Sequence, residues 1–220
     1  MQQVYSSAPY QSVETHKVLR NTYSLLAVTL LVSALASGIG MAIGLPPVAG
    51  IVCSLAAMGL LWFVLPRLAN SPKGIGVVFA VAALLGIGLA PTLQYYLQTA
   101  NGGSIIMQAL GGTALVFFGL SGYVLTTKKD FSFMGGFLLV GLVVVLIAAI
   151  ANIFFQVPAV SLAISAAIVF IMSGFILFDT SRIVNGGETN YIRATVGLYL
   201  NIYNLFTSLL HLLGAFNSDD

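Results

Sequence analysis

The sequence predicts an all-α membrane protein, a bundle of seven transmembrane helices. Only eight lysines and arginines and six acidic residues occur among its 220 residues, and 59% of the chain is hydrophobic. Charged residues make up 6% of the chain, against about 25% in a typical soluble protein. They fall between long apolar runs. This composition excludes a soluble enzyme domain, and a net charge of +2 is too small to indicate a nucleic-acid partner. The composition therefore predicts a protein that is embedded in a lipid bilayer.

Seven stretches are long and apolar enough to cross a bilayer as helices, which takes about 20 residues each. They lie at about 23–43, 48–65, 75–97, 105–125, 133–155, 159–178 and 194–214. Residues 1–22 form a predicted N-terminal tail and residues 215–220 a short external tail. The connections are too short to hold a folded domain, so the sequence predicts one transmembrane domain, residues 23–214.

The positive residues predict the orientation of the bundle, because lysine and arginine are retained on the cytoplasmic side during insertion. All of them flank alternate helix ends: Lys17 and Arg20, Arg67 and Lys73, Lys128 and Lys129, and Arg182 and Arg193. The remaining connections carry no charge. We therefore expect a cytoplasmic N-terminus and a periplasmic C-terminus.

The start of the first helix also imitates a secretory signal. Lys17 and Arg20, the apolar run from Leu25 and the triplet Ala34-Leu35-Ala36 have the order of such a signal and its cleavage site. The polar segment before them is long for a signal, and the apolar run continues to Leu45, as an uncleaved spanning helix requires. We expect this helix to remain in the protein.

Small residues recur at helix-contact spacing in three of the predicted helices. They are Ser33, Ser37, Gly40 and Gly44 in the first, Gly86 and Ala90 in the third, and Gly112, Gly119 and Gly122 in the fourth. Helices in lipid associate by close packing of small faces. These stripes therefore predict the interior of the bundle.

Two motifs resemble those of rhomboid intramembrane proteases, but their placement argues against an enzyme. Gly119-Leu120-Ser121-Gly122 matches the nucleophile motif, and His211-Leu212-Leu213-Gly214 resembles the base motif. Ser121 is predicted near the inner end of its helix and His211 near the outer end, roughly 20 Å apart in depth. A general base must lie within about 3 Å of its nucleophile, so no dyad is expected.

Other side chains that carry chemistry are too few for a catalytic or metal site. Asp179 is the only carboxylate within an apolar run, whereas an aspartyl protease needs two. Cys53 is the only cysteine, and the two histidines lie at opposite ends of the chain, which leaves no disulfide, iron–sulfur or zinc site within the chain. We predict no catalytic residue, no cofactor and no resident metal.

Polar side chains cluster on one face of the predicted seventh helix. Asn201, Asn204, Ser208 and His211 are spaced by three, four and three residues, which places them on one face. Polar groups in a membrane helix face the bundle interior or water. Two interpretations stay open: hydrogen bonds that hold helices together, or a hydrated pathway or substrate-binding cleft.

Asp179 ends the apolar run of the sixth helix, and a predicted turn at 186–190 folds the seventh helix back against it. Asp179 and Asn201 then lie at similar depth, about 10 Å from their helix ends, and are predicted to meet. The alternative is a half-exposed Asp179 that pairs with Arg182 one turn away.

Several segments resemble the Bax inhibitor motif family. They are GIGLAPTL at 86–93 and ALGGTALVF at 109–117, while HKVLRNTY at 16–23, YVLTT at 123–127 and GGETNYIRAT at 186–195 resemble its bacterial YccA-like branch. The resemblance covers roughly Thr15 to Gly214. Members of this family are seven-helix proteins, in agreement with the number of apolar stretches.

The resemblance implies a partner role as the first of two functions. The YccA-like branch is associated with the inner-membrane protease FtsH and its HflK–HflC partners, as substrate and modulator of FtsH. FtsH-type machines pull on an exposed cytoplasmic tail, and the polar segment 1–21 has the composition of an unfolded handle. An ordinary disordered N-terminus is the open alternative. We therefore expect a multi-pass bacterial inner-membrane protein that regulates membrane-protein quality control.

The second implied function is a leak for Ca²⁺ or other cations. Channel-forming relatives use an aspartate pair on helices six and seven as a pH-sensitive latch; Asp179 matches the first member, and Asn201 replaces the second. Two close carboxylates titrate as a coupled pair, so the pathway of Asp179, Arg182, Asn201, Asn204, Ser208 and His211 should be less pH-gated. Ca²⁺ takes about six to eight oxygen ligands, so Asp179 is expected to make only transient contact with a cation.

Overall fold

The computed structural model describes the backbone of residues 8–217 and the side chains of residues 14–217. Its long helices are α1 (Ala8–Ile43), α2 (Pro47–Leu68), α3 (Lys73–Leu97), α4 (Gly102–Thr127), α5 (Gly135–Phe155), α6 (Pro158–Val184) and α7 (Tyr191–Phe216). Each contains a segment long and apolar enough to cross a membrane, and no strand occurs in the described part of the chain. The predicted fold class is confirmed, while the side on which each terminus lies stays a prediction.

Helices extend beyond the predicted membrane segments, most of all α1. The first helix begins at Ala8 and not near residue 23, α6 continues past residue 178 to Val184, and α7 begins at Tyr191. The predicted bounds follow the apolar residues alone, whereas helical hydrogen bonds continue through polar residues once a turn has formed. Residues 8–22 of the predicted tail are therefore helical, and residues 1–7 lie outside the described residues.

One helix is irregular near its end. A π-helical turn, Leu60–Val64, interrupts α2 shortly before Pro66. Proline has no amide hydrogen and its ring crowds the carbonyl of the preceding turn, and a π-turn is one way in which a helix accommodates such a break. Because the chain resumes as α-helix, α2 still spans Pro47–Leu68.

Small residues allow α1, α2 and α3 to approach closely. A Cβ added to Gly40 would lie 2.7 Å from the Cβ of Ala90, and one added to Gly50 would lie 2.9 Å from the carbonyl oxygen of Gly88. A Cβ on Gly86 would collide with the backbone of Ser33. The predicted small-residue contacts between α1 and α3 are therefore present at Ser33, Gly40, Gly86 and Ala90, whereas Gly44 lies beyond the end of α1 and a Cβ there would meet nothing within 4 Å.

The corresponding prediction for α4 is wrong at Gly119 and Gly122 and holds only at Gly112, where an added Cβ would lie 3.4 Å from the side chain of Leu209 on α7. A Cβ on Gly119 would meet nothing within 4 Å, and Gly119 is exposed. The buried face of α4 instead carries larger side chains: Ala109, Thr113, Phe117, Ser121 and Val124. Glycine in a membrane helix is compatible with a lipid-facing surface as well as with a contact, so glycine spacing alone did not identify the packed face.

The helices form a core surrounded by peripheral elements. Both α3 and α7 bury a large share of their side chains, and α1, α4 and α6 all pack against α7. At the periphery, α2 packs against α3 and α5 packs against α6. Large apolar side chains on these two outer helices are exposed, among them Ile51, Trp62, Phe137, Ile147 and Phe154. Such a continuous apolar surface is suited to lipid and not to water.

The cationic residues lie at one end of the bundle, which we call the basic end. It comprises the start of α1, the α2–α3, α4–α5 and α6–α7 connections, and the helix ends beside them. Contacts join these segments: Asn190 donates a hydrogen bond to the carbonyl of Ala69 at 2.9 Å, and the Phe131 amide donates one to Ser181 Oγ at 2.9 Å. This clustering is the pattern from which a cytoplasmic location is predicted.

Candidate functional site in the α6–α7 hairpin

The connection between α6 and α7 is closed by local hydrogen bonds. Gly186 has a φ of +77°, which glycine adopts readily, and the amides of Gly187 and Glu188 donate to the carbonyl of Arg182 at 2.7 and 3.0 Å. Asn190 then caps α7, because its Oδ1 accepts hydrogen bonds from the amides of Ile192 and Arg193 at 2.9 and 3.1 Å. The turn fixes how α7 returns along α6.

The hairpin brings Asp179 of α6 against Asn201 of α7. Asn201 Nδ2 donates a hydrogen bond to Asp179 Oδ2 at 2.7 Å. Asn201 is 7% exposed, and Asp179 is half-buried. Gly197 makes room for the carboxylate, since a Cβ at this position would lie 3.1 Å from Asp179 Oδ2. The contact expected from the hairpin is therefore present, while its role as a pathway or latch stays a prediction.

Arg182 pairs with residues of the turn and forms no salt bridge with Asp179. Its Nη2 lies 3.7 Å from Glu188 Oε2 and donates a hydrogen bond to the carbonyl of Gly187 at 3.1 Å. Its guanidinium also lies 5.5 Å from the ring centre of Phe178. Within residues 14–217 the Arg182–Glu188 pair is the only salt bridge, so the alternative pairing of Asp179 with Arg182 is not formed.

The rest of the polar stripe on α7 does not continue from this pair as a connected network. Asn204 Nδ2 donates to the carbonyl of Leu200 at 2.8 Å, within its own helix. Ser208 is buried. His211 Nδ1 lies 2.8 Å from Ser165 Oγ on α6, about 15 Å along α7 from Asn201. The two ends of the stripe therefore join α6 and α7 separately, as hydrogen bonds between helices do.

A cluster of hydroxyl groups next to Asp179 was not found from the sequence. Tyr23 of α1 hydrogen-bonds to Ser121 of α4, and Ser121 Oγ lies 3.4 Å from Thr180 Oγ1 of α6. Ser121 and Thr180 are buried. Because Thr180 directly follows Asp179, this cluster links three helices at the level of the Asp179–Asn201 pair. The only signal in the sequence was Ser121 itself, which was considered as a nucleophile.

The same contacts separate the two residues of the rejected protease dyad. Ser121 contacts Thr180 and His211 contacts Ser165, and these two positions are about 22 Å apart along α6. A proton transfer between Ser121 and His211 is not possible over this distance.

Comparison with known families gives a match over nearly the whole chain. A family model described as "Inhibitor of apoptosis-promoting Bax1" matches residues 15–218. The chain belongs to the Bax inhibitor family.

Several relatives within the Bax inhibitor family align along nearly their whole length. The protein named "Modulator of FtsH protease YccA" in Escherichia coli is 54% identical, over 94% of each chain. A protein described as an uncharacterized membrane protein in Vibrio cholerae is 52% identical over 98% of this chain and 96% of the relative. An uncharacterized protein of Pseudomonas aeruginosa is 46% identical over the same shares. Together with the seven apolar helices, these matches identify a multi-pass membrane protein of this family.

For this member of the Bax inhibitor family, the site offers a cation little beyond one carboxylate. Among the residues that the structure describes, no three histidine, cysteine or acidic side chains lie together. Asn201 turns its amide nitrogen, and not its amide oxygen, towards the Asp179 carboxylate. Such a site suits brief contact with a cation and does not supply the about six to eight oxygens of a Ca²⁺ site.

The hairpin predicts a stability effect for Asn190→Ala. This substitution removes the cap of α7 and the hydrogen bonds from Nδ2 to the Ala69 carbonyl and to Asn70 Oδ1. We expect the free energy of unfolding to fall by about 1–2 kcal/mol, measured by thermal unfolding in detergent. Asn70→Ala is the matched control, because it removes only the hydrogen bond between Asn190 and Asn70 and keeps the cap of α7. Equal losses from both substitutions would contradict a contribution from the cap.

Proposed function

We propose that this protein resides in a bacterial inner membrane and regulates membrane-protein quality control by binding the FtsH protease. The observation that carries the proposal is the 54% identity to the Escherichia coli protein named "Modulator of FtsH protease YccA", over 94% of both chains. The related name "Inner membrane protein YccA" supports the location. HflK and HflC are proposed as further members of the assembly.

The start of α1 is the proposed contact with FtsH. Glu14, His16, Lys17 and Arg20 are exposed on this part of the helix, while Val18 and Leu19 pack against the core. The helix therefore presents a polar, charged face at the basic end and is anchored by its opposite face. Because residues 8–22 are helical, an unfolded handle as long as segment 1–21 is not expected, and engagement by FtsH would begin within residues 1–7 or require the helix to open.

The test is whether the protein changes proteolysis by FtsH. Purified protein is reconstituted with FtsH in liposomes, and the degradation rate of a second membrane protein is compared with and without it. A changed rate supports the proposal. An unchanged rate, with both proteins shown to be inserted and FtsH shown to be active, would contradict modulation of FtsH.

We predict that removing residues 2–13 changes the half-life of the protein in cells. This truncation keeps Val18 and Leu19, and therefore the packing of α1, but removes the segment at which pulling would start. We expect a longer half-life in cells that contain FtsH and no change in cells without it. Removal of residues 218–220 from the other end is the control. The same half-life for the truncated and full-length proteins would argue against a handle at the N-terminus.

A cation leak is the second candidate function, favoured by the position of Asp179. Its half-buried carboxylate lies among apolar helices, beside Asn201 and the hydroxyl cluster of Tyr23, Ser121 and Thr180. A carboxylate inside a membrane domain is costly and is commonly functional. The test is Ca²⁺ and K⁺ flux through the purified protein in liposomes.

The expected result is that Asp179→Ala lowers this flux. Asp130→Ala is the control, because Asp130 is an exposed carboxylate in the α4–α5 connection, bonded to the amide of Ser132 at 2.8 Å. If the wild-type protein is inserted and gives no flux at pH 6 or pH 8, the leak is excluded.

A further inference from the structure

Two adjoining cavities lie at the basic end, apart from the Asp179–Asn201 pair. The larger, of about 690 Å³, is open to the surface and is lined by the start of α1, the end of α4 and the α6–α7 connection. The smaller, of about 570 Å³, continues along α1 as far as Tyr23. They share a wall that includes His16, Lys17 and Leu125. We call them together the α1–α4 cavity.

Three cationic side chains line the α1–α4 cavity without a counter-ion. Lys17 and Arg20 come from α1 and Lys128 from the end of α4. In the described part of the chain, none of these side chains has a hydrogen-bond or salt-bridge partner. By contrast, Lys129 donates a hydrogen bond to Tyr123 at 3.0 Å, and Arg182 pairs with Glu188. The side chains of Arg67, Lys73 and Arg193 also have no such partner among the described residues, so what distinguishes Lys17, Arg20 and Lys128 is that they line one cavity.

Lys128 ends α4 in a left-handed backbone conformation. Its φ is +52°, in the left-handed region, where a residue with a Cβ costs on the order of 1 kcal/mol compared with glycine. Glycine is the usual residue at the end of a helix in this conformation. A lysine at this position therefore places a charge at the cavity in spite of a backbone that favours glycine.

Negative charge in the cavity does not balance these cations. Two carboxylates line the larger part, Glu14 and Glu188. Glu188 lies 3.7 Å from Arg182 and accepts a hydrogen bond from the amide of Asn190 at 2.9 Å, so it is already compensated. Glu14 alone remains against Lys17, Arg20 and Lys128. The cavity is therefore suited to an anion.

Apolar side chains on the wall indicate which kind of anion fits. Leu19 and Leu125 line both parts of the cavity, and Tyr23 lines the inner part. The cavity lies where α1 passes from its charged start to its apolar segment, at the level of the lipid headgroups. A free phosphate would leave this apolar wall without a partner, whereas a phospholipid would cover it with its glycerol and first methylene groups.

We propose that the α1–α4 cavity binds the phosphate of an anionic phospholipid through Lys17, Arg20 and Lys128, with Leu19 and Leu125 against its glycerol and acyl chains. Basic pockets between transmembrane helices bind anionic headgroups in this way. The site is separate from the proposed cation leak, since Asp179 and Asn201 do not line it, and it shares Lys17 and Arg20 with the proposed FtsH contact.

The test measures lipid binding to the purified full-length protein by native mass spectrometry in a nonionic detergent. The ligands are short-chain phosphatidylglycerol, short-chain phosphatidylcholine and inorganic phosphate. The variants are Lys17→Gln with Arg20→Gln, Lys128→Gln alone, and, as a control with matched loss of charge, Arg67→Gln with Lys73→Gln. Arg67 and Lys73 are exposed at the same end but do not line the cavity.

We expect phosphatidylglycerol to bind more tightly than the other two ligands. The affinity should fall about fivefold for each cavity cation removed, and so about 25-fold for Lys17→Gln with Arg20→Gln. The Arg67 and Lys73 control should bind as the wild type does. Thermal unfolding shows whether the double variant folds. If it does not, the proposal is tested by the affinity of Lys128→Gln and by the comparison of the three ligands on the wild-type protein.

Three results would overturn the proposal. Equal binding of phosphatidylcholine would show that the charge of the lipid is not recognised. Equal binding of inorganic phosphate would indicate a free-anion site without a lipid. An equal loss in the Arg67 and Lys73 control would assign the effect to the general charge of the basic end.

Discussion

Replacing Asn201 by aspartate is expected to make the stability of the protein depend on pH. In the wild type, Asn201 Nδ2 donates a hydrogen bond to Asp179 Oδ2 at 2.7 Å. Asn201→Asp removes this donor and places a second carboxylate beside the first. At acidic pH the two carboxyl groups can hold one proton between them; at alkaline pH both are charged and repel each other. The variant should therefore be more stable at pH 6 than at pH 8.

The expected difference is on the order of 2 kcal/mol. Two charges about 4 Å apart repel by about 4 kcal/mol at an effective dielectric constant of about 20, and the value is smaller here because Asp179 is only half-buried. For a chain of this size we expect the unfolding temperature at pH 8 to fall by roughly 5 °C relative to pH 6. The measurement is thermal unfolding in detergent at both pH values.

Asn204→Asp is the matched control for this prediction. Asn204 lies one turn further along α7, and its amide bonds to the carbonyl of Leu200. The control adds the same charge to the same helix but does not place it against Asp179, so its dependence on pH should be weaker. If the protein conducts cations, Asn201→Asp should also make the flux in liposomes acid-sensitive. The same pH profile for wild type and Asn201→Asp would contradict the coupling of these two positions.

The contact between Asp179 and Asn201 could be predicted because a helical hairpin is nearly symmetric about its turn. Two antiparallel helices rise by the same distance per residue, so positions equally far from the turn meet at the same depth. The turn itself was identifiable from Gly186, Gly187 and Asn190, which have the residue types of a helix end and a helix start. No knowledge of the other helices was needed.

Contacts among helices that are distant in the chain could not be predicted in the same way. The hydrogen bonds from Tyr23 to Ser121 and from Ser121 to Thr180 join α1, α4 and α6, and they depend on which faces meet. In a soluble protein, apolar periodicity would show these faces, but in lipid both the packed and the exposed face are apolar. For the same reason the sequence predicts packing at Gly119 of α4, whereas the packed face of that helix carries Thr113 and Phe117.

Close packing between α1 and α3 predicts that Gly86→Ala destabilises the protein strongly. A Cβ at Gly86 would collide with the carbonyl and Cα of Ser33, which are backbone atoms and cannot rotate away. The two helices would have to separate locally, and overpacking of this kind costs about 1–3 kcal/mol. Ser33 Oγ also lies 2.9 Å from the hydroxyl of Tyr199, which is 1% exposed, so a shift of α1 would also weaken a contact with α7.

Gly76→Ala provides the matched control, because Gly76 lies on the same helix and a Cβ there would meet nothing within 4 Å. Both substitutions improve the helix propensity of α3 to the same extent, so any difference between them reports packing. Thermal unfolding in detergent should show a decrease of roughly 3–10 °C for Gly86→Ala and no decrease for Gly76→Ala. Equal unfolding temperatures for the two variants would mean that α1 can move away from α3 at little cost, and the close approach at Ser33 would then not hold the bundle together.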